Sequence, residues 1–217
     1  MKTLPVTPEN SGAVAETAAR LLASGGVAVI PTDTVYGIAA HPDHAAALER
    51  VIALKGRPTD KPVALLAADL TAVRAFGAAL PPAAERLAAA FWPGALTLVL
   101  PCHGREEGFR VPAHVWTRSL LAACGGVLRV TSANASGEAP AASAEETLGD
   151  VGRDADLVID DGPAPGGVAS TVVRVAADNA VTILRAGAIP ESAVLAAASE
   201  SGPRTPESGR QTTVAPP

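Results

Sequence analysis

The chain has 217 residues, 48% hydrophobic and 18% charged, which is enough apolar surface to bury a core of one domain's size. Its net charge of −5 argues against broad electrostatic adhesion to nucleic acid, because such binding neutralises many phosphates at once. Charges break every apolar stretch before a membrane span is reached, and Met1-Lys2 leads into polar residues rather than a signal peptide, so a cytoplasmic protein without a membrane partner is expected.

The first helix is expected over 7–23, with Thr7 as its cap, Pro8 at its first position and Ser24-Gly25-Gly26 as its stop. The apolar run 27–30 reads as a buried strand, and the polar run Pro31-Thr32-Asp33-Thr34-Val35-Tyr36-Gly37 as the loop at its exit. Asp43 is expected to cap a helix over 43–54, whose end delivers Lys55-Gly56-Arg57-Pro58. A strand follows at 63–66, then a short helix capped by Asp69 and a longer one opened by Pro81-Pro82 that ends at Trp92-Pro93-Gly94. Phe91 and Trp92 read as core packing at that helix end. Further strands are expected at 96–100, 127–130, 157–159, 171–175 and 181–184, with helices over 115–124, after Ser143 (a capping box with Glu146) and over 190–198.

After about residue 95 the elements follow no regular βαβ rhythm. This predicts an α+β fold on an open, twisted mixed sheet flanked by helices, not a Rossmann or P-loop fold. Residues 1–199 are expected to form one domain. Residues 200–217 carry Ser, Gly, Pro, Thr and charge with too little apolar surface to offset their ordering entropy, and are expected to be a disordered tail.

Absences narrow the chemistry. The sequence has no GxxxxGK[ST] phosphate loop, no strand-coupled GxGxxG and no GxSxG nucleophile elbow. Cys102 and Cys124 have no CxxC spacing, and of four histidines only His41 and His44 are close in sequence, so no structural metal is expected. What remains is a set of cations, Lys55, Arg57, Arg110 and Arg185, with the polar side chains of Thr32, Thr34, Ser132, Asn134, Ser170 and Thr171. Arginine offers a planar donor fork for carboxylate or phosphate, and lysine a point charge for a phosphate oxygen. Each group also has a plain structural reading. Lys55-Gly56-Arg57 suits a solvated helix C-terminus, Arg110 a surface strand end, and Ser132-Ala133-Asn134 ordinary turn chemistry.

In order along the chain, PTDTVYG (31–37), KGRP (55–58), FWPGALTLVL (91–100), RVPAH (110–114), TSANASG (131–137), GVASTVV (167–173) and ILRAGAI (183–189) resemble the YrdC-like family of threonylcarbamoyl-adenylate synthases. The resemblance spans roughly residues 25–189. It implies that L-threonine, bicarbonate and ATP give threonylcarbamoyl-AMP and pyrophosphate, with Mg²⁺ on the nucleotide and no metal tightly bound by the protein. The product would feed a separate transferase that modifies adenosine in tRNA. The resemblance places Lys55, Arg57, Ser132, Asn134 and Arg185 near ATP, with Lys55 and Arg57 as the catalytic cations. It places Thr32, Arg110 and Ser170 near threonine, with Tyr36 lining that pocket. Ala169, Thr131 and Leu66 depart from the family's pattern around the threonine pocket. The family's association with double-stranded RNA leaves an alternative: a tRNA- or RNA-binding, translation-linked module without catalysis.

Overall fold

Which residues face a helix and which face open space is decided by alternation along the strands. The computed structural model describes residues 2–56, 62–149, 151–165 and 167–199. Its strands are β1 (Lys2–Pro5), β2 (Val27–Ile30), β3 (Gly37–Ala40), β4 (Leu65–Ala67), β5 (Leu96–Cys102), β6 (Arg105–Arg110), β7 (Val127–Ser132), β8 (Leu157–Asp160), β9 (Thr171–Val175) and β10 (Val181–Arg185). The helices are α1 (Ser11–Ala23), α2 (Ala45–Leu54), α3 (Leu70–Ala75), α4 (Pro82–Phe91), α5 (Val115–Ala123), α6 (Ala144–Leu148) and α7 (Glu191–Ser199). All ten strands join one open sheet in the order β1-β8-β2-β3-β7-β4-β6-β5-β9-β10, with parallel and antiparallel pairs mixed. This is the mixed sheet flanked by helices that the sequence predicts. The proposed tail and Arg57 lie outside the described residues.

Three clusters of buried side chains divide the sheet. Val14, Ala18 and Leu22 of α1 and Trp116, Leu120 and Leu121 of α5 pack on Ala28, Ile30, Ala39, Leu66, Leu128 and Val130. On the opposite face, Ala47 and Val51 of α2 and Ala144 of α6 cover Val27, Val29, Ile38 and Val158. The same face continues across Leu65, Phe109, Leu98 and Val173, which pair along neighbouring strands, and there α3, α4 and α7 cover it. Between the two clusters on that face lies a buried ion pair, Arg129 donating to Glu107 at 2.6 and 3.0 Å, with a third bond from Arg129 to Val63 O at 2.8 Å. A buried pair of this kind is tolerated when its remaining donors find partners. On the first face the register runs from Leu66, at the edge of the α5 packing, through Arg110 and Gly108 to Thr97, Val99 and Val172, and beyond Leu66 no helix among the described residues covers that stretch.

Several expected elements shift or were absent from the sequence reading. The first helix starts at Ser11 rather than 7, because Thr7 forms a turn instead of a cap: Ser11 N–H donates to Thr7 O at 2.9 Å and Thr7 N–H to Asn10 Oδ1 at 2.7 Å. Likewise α2 opens after His44, whose ring bonds Ala23 O, and not on the Asp43 side chain. Asp69 caps α3 as expected, accepting from Ala72 N–H at 2.8 Å, and Ser143 Oγ accepts from Glu146 N–H at 3.2 Å. Phe91 and Trp92 pack against the core beside α4, as read from sequence, and Trp92 Nε1 donates to Leu96 O. Strands β1, β3 and β6 are additions.

Candidate active site

The uncovered stretch of sheet is the floor of a cavity of about 1010 Å³. Its walls are loops that leave strand ends: residues 31–36 after β2, residues 133–140 after β7, and the segment before β9. Of the nine residues that the resemblance places at the site, Thr32, Tyr36, Arg110, Ser132, Asn134, Ser170 and Arg185 border this one cavity. Five separate stretches of chain, more than a hundred residues apart at their extremes, thus converge.

Arg110 ends β6 on the floor with its side chain only 7% exposed. Its Nε donates to Gly94 O at 3.0 Å, Nη1 to Thr34 Oγ1 at 2.8 Å, and Nη2 to Asp33 Oδ1 in an ion pair. Burial pulls the guanidinium below the ordinary arginine value, and Asp33 opposes that shift. The plain reading of Arg110 as a surface strand end therefore does not hold. The partners are presented by a tight loop in which Thr32 Oγ1 donates to Val35 O at 2.7 Å and accepts from the backbone N–H of Thr34 and Val35. Thr32 thus lines the cavity chiefly as the brace of its own loop. Gly37 follows because a Cβ there would sit 2.6 Å from Val130 Cγ1 on the paired strand.

Tyr36 borders the cavity by position, yet its side chain is fully buried in the core beneath α2. Its hydroxyl donates to Gly162 O at 2.6 Å and accepts from Asp161 N–H at 3.3 Å, and burial pushes the phenol up to about 12. The phenol therefore ties the 160–162 turn to the loop.

At the far wall, Ser170 Oγ sits 2.8 Å from Thr97 Oγ1, and Arg185 Nη2 donates to Ser170 O at 2.7 Å. A Cβ on Gly187 would meet the Ser170 carbonyl carbon at 2.4 Å, so only glycine lets residues 186–188 lie against Ser170. Arg185 is exposed at the cavity edge and has no carboxylate within ion-pair distance among the described residues, and partial loss of hydration lowers its pKa. Thr171, by contrast, is fully buried with its hydroxyl on Ile189 O, so it holds the fold rather than the site.

Lys55 lies behind the Ser132–Asn134 turn that borders the cavity. Its ammonium is buried, donating to Ser132 O at 2.5 Å and Asn134 O at 2.6 Å, with Ser132 Oγ at 3.4 Å. The Lys55 carbonyl accepts from Ser136 N–H at 2.8 Å. Lys55 thus clamps the Ser132–Asn134 turn from behind. The Asn134 amide nitrogen donates to Ala135 O and Glu138 O, which shapes the same turn.

Sequence reasoning missed Asp33, Thr97 and the apolar floor of Val99, Val172 and Leu184. The signal for Thr97 was present: in Leu96-Thr97-Leu98-Val99-Leu100 the leucines alternate with a second face that a fully sandwiched strand would make apolar throughout. Ala169, Thr131 and Leu66, the departures noted above, all border the cavity.

An open mixed sheet with two guanidinium groups, hydroxyls and backbone turns around one cleft defines an α+β domain with a polar, cation-bearing cavity. The sequence model of the Sua5/YciO/YrdC family, described as "Telomere recombination", matches residues 20–187, and the chain belongs to that family. It is 34% identical over 188 residues to the threonylcarbamoyl-AMP synthase of Bacillus subtilis, covering 82% of this chain and 54% of that protein. With the enzyme of the same name from Stenotrophomonas maltophilia it shares 39% identity over 143 residues, 60% of this chain and 77% of that one. The structure of P. abyssi Sua5 complexed with L-threonine superposes with a TM-score of 0.82 at 30% identity, covering 90% of this chain and 60% of that chain. The chain therefore spans only about half the length of the B. subtilis relative.

Proposed function

We propose that this chain is a threonylcarbamoyl-AMP synthase, a nucleotidyltransferase that joins L-threonine, bicarbonate and ATP. What carries the reading is the pairing, in one cavity, of a guanidinium buried on the floor, Arg110, with a second, more exposed guanidinium on the wall, Arg185. The family relationship and the relatives' names support it.

In the proposed reaction the threonine amine and bicarbonate form a carbamate with loss of water. A carbamate oxygen then bonds to the α-phosphorus of ATP, and the bond to the β-phosphate oxygen breaks to release pyrophosphate. An anion attacking an anion is slow unless positive charge is fixed in advance. A charge pair about 4 Å apart is worth ~1 kcal/mol in bulk water and ~4 kcal/mol at an effective dielectric near 20, so the recessed floor strengthens each contact.

In this reading Arg110 takes the threonine carboxylate, beside Ser170 and the Thr32 loop, and Arg185 takes the nucleotide together with Ser132 and Asn134. Lys55 acts by holding the Ser132–Asn134 turn. Among the described residues no cluster of three His, Cys, Asp or Glu side chains is placed to hold a metal, so Mg²⁺ would arrive on the triphosphate and lower its charge there. Threonine differs from serine by one methyl, which is worth only ~1–3 kcal/mol, and Val99, Val172 and Leu66 supply apolar floor for it. The product would pass to a separate enzyme that transfers the threonylcarbamoyl group to tRNA.

The test is pyrophosphate release by purified protein with ATP, Mg²⁺ and bicarbonate, comparing L-threonine, L-serine, L-valine and no amino acid. Release that needs both threonine and bicarbonate is expected. No release with any amino acid, together with salt-sensitive binding of tRNA, would move the chain to the RNA-binding class.

A further inference from the structure

Asp33 is not among the residues that the family pattern assigns to a substrate, yet it holds the most consequential ion pair of the cleft. Its carboxylate is 11% exposed, and the recorded partner of that carboxylate is Arg110 Nη2. The loop that presents it is braced three times by Thr32 Oγ1, so Asp33 cannot easily withdraw.

Guanidinium arithmetic gives the next step. Of five N–H donors, Nε is spent on Gly94 O, one hydrogen of Nη1 on Thr34 Oγ1, and one hydrogen of Nη2 on Asp33. One N–H on each terminal nitrogen has no partner among the described residues, which leaves donors for a second carboxylate. That carboxylate would share Nη2 with Asp33, so two like charges would face each other across one cation in a recessed site.

Resting on the reading that Arg110 takes the amino acid's carboxylate, we propose that Asp33 is the resident counterion of Arg110 and sets the amino-acid affinity by competing with substrate for the same positive charge. It is a positioning residue that acts through Arg110 and does not touch the reacting atoms. Without substrate it neutralises a buried guanidinium, which would otherwise destabilise the empty protein. With substrate it opposes binding, so the site exchanges amino acid readily and does not trap it.

Asp33→Asn separates charge from geometry, since the amide oxygen still accepts from Nη2 while the negative charge is gone. Calorimetric titration with L-threonine is expected to show affinity at least about 5-fold tighter than wild type, with ATP affinity within 2-fold. The ligand-free melting temperature falls in the variant, and saturating threonine raises it by more than in wild type. Weaker or unchanged threonine binding in a variant that still binds ATP would overturn the proposal. Should the amide fail to fold, Asp33→Ser repeats the test with a shorter neutral acceptor. Arg110→Gln in parallel keeps the two readings apart. If it leaves threonine affinity intact, the assignment of Arg110 fails; if it abolishes binding while Asp33→Asn does not tighten it, only the counterion role fails.

Discussion

The two ends of the sheet are built from similar strands but finished differently. Around β2, β3 and β8 both faces are covered, by α1 and α5 on one side and α2 and α6 on the other. Around β5, β6 and β9 the described residues cover only one face, with α3, α4 and α7, and the other carries Thr97, Val99, Gly108 and Arg110 into the cavity. Stability and function therefore separate by strand face, and adjacent residues of one strand can belong to different accounts. Leu98 is fully buried under α4, while Thr97 is hydrogen-bonded to Ser170 at the edge of the cavity.

The sharpest way to break this comparison is through Arg110. Arg110→Ala is expected to lower threonine affinity at least about 30-fold, because truncating one partner of a buried charge pair costs about 2–5 kcal/mol, while ATP affinity changes little. Equal loss of both would show that the floor and wall are not separate subsites. Next, Leu98→Ala should cost about 2–5 kcal/mol of unfolding free energy, measured by denaturant titration, through the cavity it leaves. Its neighbour Thr97→Val should leave the denaturation midpoint nearly unchanged and raise the KM for threonine severalfold, as Ser170 Oγ loses the partner at 2.8 Å. A Thr97 variant that is as unstable as Leu98→Ala would contradict the division by face.

Lys55→Met tests the wall. If the ammonium clamps the turn from behind, the variant loses both stability and ATP affinity, and the KM for ATP rises together with a lower melting temperature. A loss of ATP affinity with unchanged melting temperature would favour direct phosphate contact.

The smallest expected effect concerns pH. His114 caps α5 by accepting from Thr117 N–H and lies 3.4 Å from Asp161, and burial lowers its pKa from the usual 6.5, with Asp161 and Asp33 pulling the other way. The unfolded state then binds the proton more readily than the folded one. The resulting stability is present above pH 6.5 and is lost as pH falls below that value toward the lower folded pKa. His114→Gln should flatten melting temperature against pH in that interval.

Much of this was legible in the chain. Apolar runs such as Val27–Ile30 and the Asp69 cap announced themselves because local pattern and final environment agree. Strand β3, Gly-Ile-Ala-Ala, carries almost no strand propensity and is held by β2 and β7 on either side. Strand β6 opens with Arg105-Glu106-Glu107, which reads as a charged loop until Glu107 is seen to be buried against Arg129. Within the site, the residue types of the motifs marked the cavity wall well, but partnerships did not show. Asp33 and Arg110 are 77 residues apart, and nothing local distinguishes a carboxylate that will neutralise a floor arginine from one that caps a turn. The hydrogen bonds of Tyr36 to Gly162 O and of Lys55 to Ser132 O and Asn134 O were hidden for the same reason, since their backbone partners lie far away in the chain.

The division of the cavity into an amino-acid floor and a nucleotide wall is tested most directly by crossed calorimetric titrations of L-threonine and of ATP with Mg²⁺, using wild type, Arg110→Ala and Arg185→Gln. The account expects threonine binding to be lost in Arg110→Ala with ATP retained, and ATP binding to weaken about tenfold or more in Arg185→Gln with threonine retained. Both ligands weakening in parallel in each variant would contradict it.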